Sequence, residues 1–101
     1  MTKIHTYARL RLHEPITLAE LAKLVRMSRF NFVRTYHRLS GQPPMTDIRA
    51  LRMERARELL LTTDLGLKEI APRCGLQSAF SLSRAFKRHF GYGPSLLRRQ
   101  A

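Results

Sequence analysis

Acidic residues run out two thirds of the way along this chain of 101 residues. Every Asp and Glu lies at or before Glu69, so the stretch from Ile70 to Ala101 carries Arg73, Arg84, Lys87, Arg88, Arg98 and Arg99 with no carboxylate. Over the whole chain, 19 Lys and Arg face 7 Asp and Glu, for a formal charge of +12. A field of that sign concentrates polyanions and speeds encounter with nucleic acid. Cysteine is nearly absent as well. Cys74 alone excludes an intramolecular disulfide and points to a reducing cytoplasm. Long apolar runs are missing: MTKIHTYARLRLHEP has no signal-peptide core, and no stretch reaches bilayer length, so no membrane partner is expected.

The usual equipment of an enzyme is also lacking. There is no glycine-rich phosphate loop and no Cys-x-x-Cys, and His5, His13, His37 and His89 make no helical two-ligand pair. Catalytic residues, metals and cofactors are therefore not expected, and the chain does not read as an enzyme. Cys74 aligns with Val25 on a buried helix face, where a thiol is inert packing.

What is present is one segment written twice. Thr17 to Pro44 lies over Gly66 to Pro94 with a single extra residue, Gln77, in the second copy. Leu18, Glu20 and Ala22 answer Leu67, Glu69 and Ala71. Ser28, Phe30, Arg34, Arg38, Gly41 and Pro44 answer Ser78, Phe80, Arg84, Arg88, Gly91 and Pro94. Thr17 with Glu20 fits a capping box, so a helix is predicted to start there, with Leu18, Leu21, Ala22 and Val25 on its buried face. After a turn at Arg26-Met27, Ser28 caps a second helix that runs to about Ser40 and is closed by Gly41. Two short helices joined by a tight turn make a helix-turn-helix. In the second copy Gly66 caps less well, and Pro72 predicts a short or kinked helix over Leu67–Cys74. Gly75 suits a left-handed turn, where its counterpart Arg26 carries a strain of about 1 kcal/mol if its φ is positive.

The second helix of each copy contains no acid. At about 100° per residue, Phe32, Tyr36 and Leu39 share one arc, as do Leu82, Phe86 and His89 with Phe90 at the margin, and these arcs are expected to be core. The opposite faces carry Phe30, Val33, Arg34 and His37 in one copy and Phe80, Ser83, Arg84 and Lys87 in the other. Phenylalanine beside arginine suits a major groove, where arginine reaches guanine O6 and N7 and an apolar ring meets a thymine methyl. The alternative is that Phe30 and Phe80 pack on neighbouring helices and the arginines are plain surface charge.

Between the copies runs PMTDIRALRMERARELLLTTD, which reads as one helix with Met45, Ile48, Met53, Ala56, Leu59 and Leu60 along one face. About 20 residues at 1.5 Å each give about 30 Å, close to the 34 Å between successive major-groove openings. Arg49 and Arg52 fall inside the apolar arc, where they snorkel, pair with an acid such as Glu20 or Glu69, or reach phosphates. The expected organisation is all-α: a first helix-turn-helix subdomain over 1–43, a linker helix over 44–63 and a second subdomain over 64–101.

With the RMERARELL spine, the turn in KEIAPRCGL and the closing FSLSRAFKRHFGYGPS, the chain resembles the DNA-binding domain of the AraC/XylS family of bacterial transcription regulators. The likeness extends from about Thr17 to Pro94. It implies two helix-turn-helix subdomains on a linker helix, binding promoter DNA and activating through contact with RNA polymerase in the bacterial cytoplasm, at the nucleoid. By position it implies base contacts from Phe30, Asn31, Val33 and Arg34, and from Ala79, Phe80, Ser81, Ser83 and Arg84. Phosphate contacts are expected from Ser28, Arg29, His37 and Arg38 and from Ser78, Lys87 and Arg88. The departures from the family pattern are Arg26, Gly66 and Pro72, with Ala79 too short for a polar base contact and Val33 offering only apolar contact. The resemblance also implies an effector or dimerisation domain outside this chain, which then reads as the C-terminal piece of a longer protein; a short stand-alone regulator is the alternative. Three rivals remain: a non-specific basic nucleic-acid binder, an RNA binder and a helical protein-interaction adaptor. Aromatics riding on helices speak against RNA, and acid-free arginine helices speak against the adaptor.

Overall fold

The computed structural model describes residues 2–100, which form seven helices and no strand. In order these are α1 (Thr2–Leu10), α2 (Leu18–Leu24), α3 (Arg29–Ser40), α4 (Pro44–Thr62), α5 (Leu67–Arg73), α6 (Ala79–Phe90) and α7 (Pro94–Gln100). The all-helical expectation holds. The chain divides into two compact units, one ending at Leu51 and one beginning at Arg52, so α4 gives its first half to one unit and its second half to the other. None of the described helices is long and apolar enough to cross a membrane.

The first unit gathers Ile4 and Ala8 of α1, Leu12 and Ile16 of the following connection, Leu21 and Ala22 of α2, Phe32 and Tyr36 of α3, and Ile48 and Leu51 of α4. In α1, α3 and α4 the buried residues are three or four apart, the spacing that puts both on one face, and in α2 the half-buried Leu18 lies three and four residues before Leu21 and Ala22. The predicted capping box is formed: Thr17 Oγ1 accepts from the Glu20 amide at 3.2 Å, and Glu20 Oε1 accepts from the Thr17 amide at 2.6 Å. The second Glu20 oxygen accepts from the Tyr7 hydroxyl of α1, and Arg11 lies 4.1 Å over the Tyr7 ring. The Tyr7 hydrogen bond and then the Thr17 amide hold the Glu20 carboxyl below the usual carboxylate range.

The second unit packs Met53, Ala56 and Leu60 of α4, Ile70 and Ala71 of α5, Cys74, and Leu82 and Phe86 of α6. Gly66 has no side chain to cap with, so only half a box survives, with its amide donating to Glu69 Oε1 at 3.3 Å. Helix α5 is short, but at 7 residues it matches the proline-free α2, so its length is set by the repeated unit and Pro72 is accommodated inside it. Phe90 and Tyr92 extend this core, their ring centroids 4.6 and 6.0 Å from that of Phe86.

The turn between the paired helices is the same Schellman closure twice. The Met27 amide donates to Ala22 O and Arg26 to Lys23 O; Leu76 donates to Ala71 O and Gly75 to Pro72 O. The pivot residue needs a left-handed backbone, with φ of 79° at Gly75 and 58° at Arg26. Arg26 therefore carries the strain that its counterpart avoids. Gly41 and Gly91 close α3 and α6 in the same left-handed region, φ 80° and 86°.

Three expectations need correction. Leu39 and His89 were expected in the core and are exposed, Leu39 at 65%. The buried line of α6 advances in steps of four, Leu82 to Phe86 to Phe90, so a residue three beyond Phe86 swings outward. In α3 the same step of four reaches Ser40, whose hydroxyl donates to Tyr36 O at 2.9 Å. Leu51, left out of the predicted α4 stripe, is buried. Helices α1 and α7 were not expected at all; Pro94 opens α7 much as Pro44 opens α4. Two arginines are engaged inside the second unit. Arg52 donates to the Cys74 carbonyl at 2.9 Å, and Arg98 donates to the carbonyls of Leu60, Thr63 and Leu65 around the end of α4. Arg49 is exposed and reaches Thr46 Oγ1 at 3.4 Å.

Two predictions follow from this packing. Arg26→Gly is expected to stabilise the protein by roughly 0.5–1 kcal/mol, the left-handed penalty less the added chain entropy; a lower urea midpoint would contradict that strain. Burial pushes the Cys74 thiol up to about 11. Its protonated form is the one the fold favours, so stability is complete below the unfolded thiol value and declines as pH rises toward 11. Cys74→Ala should flatten that decline, and the native thiol should resist alkylation at pH 8 until urea unfolds the chain.

Candidate nucleic-acid interface

Helix α3 starts at Ser28, whose Oγ accepts from the Asn31 amide at 3.1 Å. Its inner face is fixed twice over. Phe32 and Tyr36 are buried with centroids 5.7 Å apart, and the Tyr36 hydroxyl donates to Asp47 Oδ2 of α4 at 2.7 Å. His5 Nε2 of α1 lies 3.1 Å from the same hydroxyl, so one phenol ties α1, α3 and α4 together. Burial first, and then the Asp47 hydrogen bond, raise the Tyr36 phenol above its ordinary value.

With that face held inward, the other must point out. Phe30, Asn31, Arg34, His37 and Arg38 are exposed, Val33 is half-buried, and Ser28 and Arg29 stand exposed at the helix start. Phe30 is 69% exposed, which overturns the alternative in which it packs on a neighbouring helix. Its neighbour is instead the Arg34 guanidinium, 5.4 Å from the ring centroid. Leu18 of α2 joins Arg29, Phe30, Val33 and Arg34 in lining a shallow open depression beside the ring.

Helix α6 repeats the arrangement. Leu82 and Phe86 are fully buried, while Phe80 is 71% exposed with the Arg84 guanidinium 5.5 Å from its centroid. Lys87 and Arg88 are exposed on later turns, and Ala79 and Ser83 are half-buried. Ser78 caps the helix reciprocally with Ser81: each amide donates to the other's hydroxyl at 3.1 Å. The Ser81 hydroxyl also donates to Ser78 O, so that candidate base contact is already engaged in the cap. The phenylalanine and arginine that share a face in each copy are thus neighbours, four residues apart, with the guanidinium near the ring in both. Among the described residues, no cluster of three His, Cys, Asp or Glu is placed to hold a metal.

Comparison with known proteins gives a consistent picture. A family model described as a helix-turn-helix domain matches residues 21–100. The chain is 30% identical over 97 residues to the MmsAB operon regulatory protein of Pseudomonas aeruginosa, covering 96% of this chain and 32% of that protein. It thus spans about a third of the length of the curated relatives it matches. Among solved structures, it superimposes with a TM-score of 0.90 on the DNA-binding domain of AdpA, a global transcriptional factor in complex with a target DNA. That likeness holds at 32% identity over 98% of this chain and 89% of the other. A transcriptional regulator from Chromobacterium violaceum with an AraC-type DNA-binding domain gives 0.91 at 28% identity, over 98% and 88%.

Proposed function

Since the chain belongs to the AraC-type helix-turn-helix family, we propose that it is the DNA-binding part of a bacterial transcription regulator, reading duplex DNA sequence-specifically with α3 and α6 in major-groove segments. One observation carries this reading. Two acid-free helices, anchored by the same buried positions, each hold an exposed phenylalanine against an arginine four residues on. A major groove offers both partners at once: guanine acceptors for the arginine and a thymine methyl for the ring. On this reading Phe30, Asn31, Val33 and Arg34, with Phe80, Ser81, Ser83 and Arg84, face bases. Ser28, Arg29, His37 and Arg38, with Ser78, Lys87 and Arg88, hold the backbone, where contacts fix register without reading sequence. RNA polymerase is the proposed downstream partner, with activation as the outcome. An effector or dimerisation domain outside these residues would set when binding occurs.

The arginines separate specific from non-specific binding. Arg34→Ala and Arg84→Ala should each cost about 1–3 kcal/mol on the preferred duplex and much less on random DNA. Equal losses on both would reduce them to phosphate contacts and favour the non-specific binder. Four phosphate contacts from Arg29, Arg38, Lys87 and Arg88 alone would make the logarithm of the binding constant fall with that of salt at a slope of about −3.6. A flat salt dependence would point to a protein-interaction adaptor instead.

A further inference from the structure

We propose that each stacked Phe and Arg pair reads two neighbouring base pairs as one unit, a guanine beside a pyrimidine bearing a 5-methyl group, so that both halves of the recognition sequence share this step. The inference rests on the DNA-binding reading above and adds which bases the two pairs select.

The geometry is set by stacking distances. An arginine reading guanine O6 and N7 with two hydrogen bonds puts its guanidinium in the plane of that base. A ring stacked on the guanidinium lies one van der Waals layer away, about 3.5–4.0 Å. Successive base pairs are separated by almost the same rise, about 3.4 Å. The Phe30 ring, its centroid 5.4 Å from the Arg34 guanidinium carbon, and the Phe80 ring, 5.5 Å from that of Arg84, are compatible with this layer spacing plus a lateral offset. When the arginine meets guanine, the ring therefore meets the edge of the adjacent base pair. The apolar group on that edge is the thymine methyl.

The ring is not alone in favouring a methyl group. The depression beside Phe30 is walled by Leu18 and Val33 as well, an apolar receptacle with Arg29 and Arg34 among its lining. In the second copy Leu67 answers Leu18, while Ser83 replaces Val33. The shared step should thus matter more in the element read by α3. Asn31 against Ser81 and Val33 against Ser83 make the flanking bases differ, giving two related but unequal elements. The ring beside each guanidinium restricts the arginine before DNA arrives, on this proposal, and so reduces the freedom lost on binding.

The test starts from the duplex selected by this chain out of a randomised library. Each thymine is replaced in turn by deoxyuridine, which removes only the methyl group. One thymine next to a guanine in each element should show a loss of about four-fold, the worth of one buried methyl group. Restoring the methyl by placing 5-methylcytosine opposite guanine at that position should recover most of the loss relative to unmethylated cytosine. Phe30→Ala should abolish the methyl sensitivity of one element and leave that of the other. Because Phe30 is 69% exposed, this variant should keep its helical signal, which circular dichroism checks. Sequence-selective binding with no methyl-sensitive position beside a guanine would overturn the inference while leaving the DNA-binding function standing. Methyl sensitivity that survives both Phe30→Ala and Phe80→Ala would overturn it too. A library that yields no preferred duplex would sink the DNA-reading function and this inference together.

Discussion

Phe32 with Tyr36, and Leu82 with Phe86, are the contacts on which the exposed faces of α3 and α6 depend. In each helix two large side chains, one turn apart, are buried to 3% exposure or less against the rest of their unit. Burying each stabilises the fold by about 1.5–3 kcal/mol, so rotating either helix about its axis would forfeit several kcal/mol. The helix is thereby locked in rotation, and the residues two positions before and after the first member of each buried pair are forced outward. Phe30 and Arg34 flank Phe32, and Phe80 and Arg84 flank Leu82. Exposing a phenylalanine is unfavourable on its own, and here it is imposed by a stronger demand from the opposite side of the same helix.

The two units meet this demand with different chemistry. In the first, the buried phenol of Tyr36 bridges His5 and Asp47, adding a polar lock in which a slipped helix would strand a buried hydroxyl. Among the described residues, no buried hydroxyl bridges helices of the second unit in this way. That unit relies on the cluster of Phe86, Phe90 and Tyr92, on Arg57 lying 5.7 Å over the Phe90 ring, and on Arg98 gathering the loose carbonyls at the end of α4. Cations are thus divided between two tasks. Arg52 and Arg98 are half-buried and bond backbone carbonyls, while the cations of α3 and α6 stand exposed, Arg34 and Arg84 among them beside their exposed rings. The net charge alone overstates how much positive surface is available to a polyanion.

Much of this was legible because short-range rules governed it. The Thr17 and Glu20 box, the Ser28 and Ser78 caps, the glycine closures and the outward Phe and Arg positions depend on residues within four of one another. What escaped depended on distant partners. Helix α1 is held by Ile4 and Ala8, which share one core with residues from α2, α3 and α4. Helix α7 is tied down by Leu97 and by Arg98 reaching back more than thirty residues. Leu39 and His89 were misplaced because a projection at 100° per residue does not know where the neighbouring helices stop. Arg52 was ambiguous in sequence because its partner is a backbone carbonyl, which carries no residue signature.

In the proposed function the two matched faces grip DNA separately, each through its own arginine. Guanine N7 methylation interference on the preferred duplex addresses it most directly, comparing the native chain with Arg34→Ala and Arg84→Ala. Two separate clusters of sensitive guanines are expected, with one lost in each variant and the other retained. Loss of the same guanines in both variants, or uniform indifference to N7 methylation, would contradict the claim.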